Sequence, residues 1–348
     1  MLDNSVIRQM SEKNRIEFID LAKGFCILLV VLTHVHFKDH YPQLMGIHLY
    51  LKSFRMPLYF MLSGLFFKEY EGFIGFLKRK TNKLLIPFIF FFYFNAIIFR
   101  YIMDFTQNHH ISFYGIKFYI NFYYESFNDI PGGIWFLLCL FNVNIIFYII
   151  YLVVNRNKLH SSFIFFFALL IGTFGYYIGI NQYNLPLFFD SAMTATPFFA
   201  VGYILKRDTN FLLKNRMDKY NWIFIIFSFF IVYLFFDFSN YMSNYYKMSL
   251  VSTYISGIAG TIGVLLLSKK LVYLPIVSYL GRYSIIVLCT HQIMIIIVNR
   301  LLRTVNTAEL IVDISTFLIV VLLSLFIIPL LKQYLPYVTA QKDLLPID

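Results

Sequence analysis

Charge is what this chain lacks. Asp, Glu, Lys and Arg make up 14% of its 348 residues, against about 25% in soluble domains, whose surfaces must face water. A chain so poor in charge and 59% hydrophobic has another solvent over most of its surface, and lipid is the one available. This excludes the two or three soluble domains that the length alone would suggest. Cysteine is scarce too. Cys26, Cys139 and Cys289 each lie in an apolar run, without a CxxC pair or metal-ligand spacing. They read as small core residues, with no redox role and no metal. Low-complexity tracts, Pro/Ser linkers and long polar insertions are also missing. A single integral-membrane domain over 1–348 is therefore expected, with 1–14 and 337–348 as cytoplasmic tails.

What is present is a series of apolar runs. A membrane-crossing helix needs about 20 mostly apolar residues. Ten segments meet this: 18–37, 46–67, 84–103, 133–154, 162–180, 186–205, 221–238, 248–267, 283–302 and 308–331. In lipid, backbone polar groups must be satisfied within each helix, so the expected fold is all-α, a polytopic bundle of about ten transmembrane helices. The first run is too long for the apolar part of a signal peptide and no small-residue cleavage site follows it, so it is expected to stay.

Lysine and arginine set the orientation. With the N-terminus inside, 20 of the 29 basic residues fall on the inner side and 6 on the outer, with Lys23, Arg55 and Arg100 within spans. The asymmetry predicts N-in and C-in. It also accounts for the net charge of +11 without nucleic acid as a partner. The longest outer segment, 104–132, is rich in aromatics between Phe113 and Tyr124. It reads as an interfacial lid or an aromatic belt.

Ionisable residues inside spans are costly unless paired or wet, so each is a functional hypothesis. Lys23 and His34 are eleven residues apart, which on a helix is about 16 Å of rise and about 20° from whole turns. They share one face, and Asp20 lies one turn below Lys23 within about 40° of it. The stripe places a carboxylate and an ammonium near the inner end and an imidazole near the outer end. A snorkelling lysine paired with Asp20, beside an unrelated histidine, is the plainer alternative.

Arg55, in Ser53-Phe54-Arg55-Met56-Pro57, is a permanent cation at depth. It needs a carboxylate such as Asp190, a carbonyl or a cavity. Pro57 is expected to kink its helix. His291 falls mid-span and Asp190 near the outer end of its span. The inner run Lys78-Arg79-Lys80-Thr81-Asn82-Lys83 is either a topology signal or a phosphate-binding cluster at a helix entrance.

These residues together resemble a known family. Arg15-Ile16-Glu17-Phe18-Ile19-Asp20-Leu21-Ala22-Lys23-Gly24, followed by Leu28 through His34, is similar to the opening signature of membrane-bound acyltransferase family 3, with its fucose 4-O-acetylase-related branch nearest. The basic residue, ten positions and then His match the first-helix motif at Lys23 and His34. Phe54 through Gly64 resembles the second-helix motif, and Lys80-Thr81-Asn82-Lys83 stands where the family has R-x-x-R. Lysine lacks arginine's bidentate fork, so the match there is in charge alone. Gly133-Ile134-Trp135-Phe136-Leu137, Phe198 through Tyr203, and Gly281-Arg282-Tyr283-Ser284 through His291 resemble later landmarks.

The resemblance implies an enzyme of a bacterial cytoplasmic (inner) membrane. It would take an acyl group, usually acetyl, from cytoplasmic acyl-CoA and place it on a hydroxyl of a cell-surface or lipid-linked sugar. It further implies His34 as general base, Arg55 as oxyanion stabiliser or as the residue that holds His34 in place, and Asp20 as the residue positioning Lys23. Lys23, Lys78, Arg79, Lys80 and Lys83 would hold the CoA phosphates, and Ser63, Trp135, Asp190 and His291 would line the passage or sugar site. The rival from another class is a transporter or flippase for a lipid-linked glycan, which has no need of a phosphate site aligned with a histidine on one helix face. An ion channel has no filter-like segment to support it.

Overall fold

A computed structural model describes residues 16–35, 37–108, 133–209, 221–304 and 308–346. Helices occupy each of the ten apolar stretches. In chain order they are α1 (Glu17–His34), α2 (Met45–Leu65), α3 (Gly72–Lys80), α4 (Ile86–Asn108), α5 (Trp135–Arg156), α6 (Ser162–Ile180) and α7 (Phe189–Asp208). After them come α8 (Asn221–Phe235), α9 (Leu250–Leu271), α10 (Pro275–Arg282), α11 (Ser284–Arg303) and α12 (Glu309–Tyr334). The strands among the described residues are a two-residue antiparallel pair, β1 (Ser239–Asn240) and β2 (Tyr245–Tyr246), between α8 and α9. The aromatic segment 113–124 lies outside the described residues.

Among the described residues, seven helices are long and apolar enough to cross a membrane, judged by length and composition. The stretch 84–103 belongs to a longer one, Gly72–Phe99, in which α3 passes through a π-helical segment, Thr81–Leu85, into α4. α8 has only 15 residues. α1 carries three charged residues, Glu17, Asp20 and Lys23, and α2 carries His48, Lys52 and Arg55; neither is among the seven. α2 runs unbroken through Pro57.

The outer surface is apolar, as lipid requires. Phe166, Phe174 and Tyr177 of α6, Ile226 and Phe227 of α8, and Leu318 and Phe326 of α12 are all exposed. Burying them further would gain nothing in a solvent as apolar as they are, so helix association depends on close fit and hydrogen bonds instead. α1 and α10 show this. A β-carbon on Gly24 would collide with the Val277 carbonyl oxygen, and one on Gly281 with the Asp20 carbonyl oxygen. Only glycine at both crossing points lets the two backbones touch. That crossing fixes Lys23 of α1 relative to Tyr283 and Ser284, which follow α10.

The base of α3 is anchored differently. Phe76 stacks on Tyr148 of α5 with ring centroids 4.4 Å apart, and Phe67 packs edge-on to Phe147 at 4.9 Å. The basic run therefore starts from a buried aromatic cluster. The three cysteines are free and buried. Cys26 donates its thiol proton to the Arg55 carbonyl at 2.9 Å, which ties α1 to α2.

Candidate functional site

Two of the cavities along α1 are lined by several charged side chains. The one at the N-terminal end of α1, called the inner cavity, measures about 470 Å³ and is lined by Lys23, Ser63, Arg79, Lys80 and Lys83, together with Tyr59, Phe136 and Ser284. Its volume falls within the range of about 300–1,000 Å³ that small-molecule sites take. Cations and aromatic rings dominate the wall. Lys80 forms no ion pair with any described residue; its ammonium lies 5.5 Å from the centre of the Phe76 ring. Lys78 does not line this cavity.

The C-terminal segment, expected only as a tail, is docked here. Asp343 pairs with Arg79 at 2.8 Å and with Lys83 at 2.9 Å. Lys83 also donates to the Ala340 carbonyl at 2.8 Å. Asn82, fully buried, donates to the Leu345 carbonyl at 2.9 Å and accepts from the Leu344 and Leu345 amides at 3.0 and 2.8 Å. Ala340 and Gln341 line the cavity. Arg79 makes its contact from the end of α3, and Asn82 and Lys83 make theirs from the π-helical segment Thr81–Leu85. Such segments occur often at functional sites. The basic run is thereby divided: Arg79 and Lys83 are already matched by a carboxylate, and Lys80 is not.

The one at the C-terminal end of α1, called the outer cavity, measures about 210 Å³ and is lined by His34, Arg55, Trp135, His48, Lys52 and Gly133, among others. His34 Nδ1 lies 2.7 Å from the Val30 carbonyl. A carbonyl oxygen can only accept, so Nδ1 carries the proton and Nε2 is the basic nitrogen. His291 stands next to it, with ring centroids 5.0 Å apart and planes at 75°. Its Nδ1 is held by the Val287 and Leu288 carbonyls at 3.0 and 2.9 Å, so the same tautomer follows. His291 Nε2 is buried and has no hydrogen-bond partner among the described residues. The pair differs in access: His291 is fully buried, while His34 is half-buried and lines the cavity.

Arg55 is 9% exposed. Its Nε and Nη1 are buried without a hydrogen-bond partner among the described residues, and no described ion pair joins it to Asp190. Asp190, 4% exposed, belongs to another cluster, where Thr194 donates to its carbonyl at 3.3 Å and to Asn244 Oδ1 at 2.9 Å. Asp190 and Asp20 line neither cavity. The structure thus brings together Lys23, Ser63, Arg79, Lys80 and Lys83 at the inner cavity, and His34, Arg55 and Trp135 at the outer, with His291 behind His34. Sequence reasoning missed Leu288, the contact between the two histidines and the docked tail. The one available signal for the tail was Asp343, a lone acid between Lys342 and Leu344-Leu345.

A helical bundle with an apolar exterior, enclosing a cationic cavity and a histidine–arginine cavity, defines a multi-pass membrane protein with room for chemistry inside. An acyltransferase domain matches residues 16–332, nearly the whole chain. The chain belongs to acyltransferase family 3 and is a membrane acyltransferase. Neither curated proteins nor solved structures gave a match.

Proposed function

We propose that the protein carries an acetyl or other small acyl group from cytoplasmic acyl-CoA to a hydroxyl of a cell-surface or lipid-linked sugar. The observation that carries this reading is the placement of two chemically different cavities end to end along α1: cations that suit phosphates in one, an oriented imidazole and a buried guanidinium in the other. The positive-inside rule puts the basic cavity on the cytoplasmic side of a ten-span, N-in and C-in bundle of a bacterial inner membrane.

In this reading Lys80 and Lys23 bind the CoA phosphates, with Arg79 and Lys83 held at the rim by Asp343. The pantetheine arm runs along α1 for about 16 Å of helix and presents the thioester to the outer cavity. His34 Nε2 takes the proton from the sugar hydroxyl as its oxygen attacks the carbonyl carbon. Arg55 stabilises the oxyanion, a role for which a fixed cation in a dry site is effective. The new C–O bond forms, the C–S bond breaks, and the thiolate leaves, recovering from His34 the proton taken from the hydroxyl. Trp135 offers a ring face to the sugar, and Ser63 lines the donor's path.

The test is a transfer assay on the purified protein in nanodiscs, with radiolabelled acetyl-CoA and an envelope glycan fraction. Thiol release with label appearing as glycan ester is expected. Glycan translocation without thioester cleavage would overturn the reading in favour of a flippase. Lysine substitutions separate donor binding from topology. Lys80→Ala is expected to raise the KM for acetyl-CoA roughly tenfold, the loss of one hydrogen bond to a charged group. Lys83→Ala, whose ammonium is already engaged by Asp343 and Ala340, is expected to raise it less. Steady-state kinetics at fixed ionic strength measure both, and equal KM values for both variants and the wild type would return these lysines to topology signals.

A further inference from the structure

The inner and outer cavities meet at one side chain. Leu288 of α11 lines both and is 4% exposed. On the inner side it continues the face begun by Ser284 and Ile285, which line the same cavity. Toward the outer cavity it fills the space left by a missing side chain: a β-carbon on Gly133 would stand 3.2 Å from Leu288 Cδ1 and 3.5 Å from His291 Cε1. Its backbone is pinned, since the Leu288 carbonyl accepts from His291 Nδ1 at 2.9 Å. What can move at this point is the isobutyl group, by changing rotamer.

We infer that Leu288 is the gate between donor and acceptor cavities and the residue that limits acyl length. This rests on the acyl-CoA reading of the inner cavity. A thioester arriving from that side carries its acyl group ahead of the sulfur, so the acyl group is the first part to pass Leu288. It must then fit beside the leucine in a cavity of about 210 Å³ that also takes the acceptor hydroxyl. An acetyl group asks for one methyl of room; propionyl and butyryl add one and two methylenes at the point where even a β-carbon on Gly133 would crowd the leucine tip at 3.2 Å. Close-packed interiors register a difference of one methylene, and hydrophobic pockets discriminate about tenfold or more on that basis.

The experiment compares wild type with Leu288→Ala and Leu288→Trp in nanodiscs. Thiol release from acetyl-, propionyl- and butyryl-CoA is measured with the envelope glycan fraction, and binding of radiolabelled CoA is measured separately. Leu288→Ala is expected to raise the butyryl-to-acetyl turnover ratio about tenfold or more. Leu288→Trp is expected to keep CoA binding and lose transfer. A wild type that binds no CoA and cleaves no acyl-CoA defeats the donor reading itself. A wild type that does both, with the ratio in Leu288→Ala unchanged within twofold or with Leu288→Trp at full turnover, defeats the gate alone. Wild-type CoA affinity certifies the fold of each variant, and Leu288→Val, a smaller change with a smaller expected rise in ratio, replaces any variant that fails this check.

Discussion

Exchanging His34 for glutamine is expected to lower turnover by about 10²- to 10⁴-fold, the usual worth of a positioned general base, while the KM for acyl-CoA stays near its wild-type value. Glutamine keeps an N–H able to reach the Val30 carbonyl that now holds Nδ1 at 2.7 Å, so the change removes the basic nitrogen with little else. KM is spared because the cations of the donor cavity lie about three turns away along α1. The partner histidine makes the prediction sharper. His291 has the same tautomer and an unpartnered Nε2, but it is fully buried and lines neither cavity. His291→Phe, which preserves a ring beside His34, is therefore expected to cost less than His34→Gln. Single-turnover thiol release at saturating acyl-CoA decides between them. Transfer within tenfold of wild type in a His34→Gln protein that still binds CoA would remove His34 from its role, and the reverse order of effects would move that role to His291.

How much of this was legible beforehand depends on how local each relation is. The alignment of Lys23 and His34 needs nothing beyond the turn of one helix, and the structure places them at the inner and outer cavities as that turn requires. Arg55 at depth follows from the hydropathy around it. The contact between His34 and His291 joins different helices, and periodicity names the face a residue occupies without naming what packs on it. The same holds for Asp343, whose ion pairs with Arg79 and Lys83 close a loop of some 260 residues. Asp190 shows the converse error of pairing by depth: it is as buried as Arg55, but its neighbours are Thr194 and Asn244. Hydropathy also misjudges the helices that matter most. α1 and α2 fall outside the group of clear spans: α1 holds Glu17, Asp20 and Lys23 within 18 residues, and α2 holds His48, Lys52 and Arg55.

Arg55→Met is expected to lower turnover by about 10²- to 10³-fold, the cost of removing one oxyanion donor, and at the same time to raise the thermal midpoint. The two effects have one cause. The guanidinium is 9% exposed, with Nε and Nη1 lacking a hydrogen-bond partner among the described residues. A cation desolvated this far costs several kcal/mol unless matched, and the match arrives only when the carbonyl oxygen gathers negative charge. Methionine fills a similar length with apolar atoms and removes that cost in the resting protein, a gain of ~1 °C for each ~1 kcal/mol recovered in a chain of this size. Arg55→Lys keeps the charge but not the planar fork, and is expected to fall between methionine and wild type in turnover. Scanning fluorimetry and thiol release on the same nanodisc samples read both quantities. A lowered midpoint in Arg55→Met would make the arginine structural glue for α2, whereas a raised midpoint with lost turnover marks a charge kept, at the expense of stability, for the transition state.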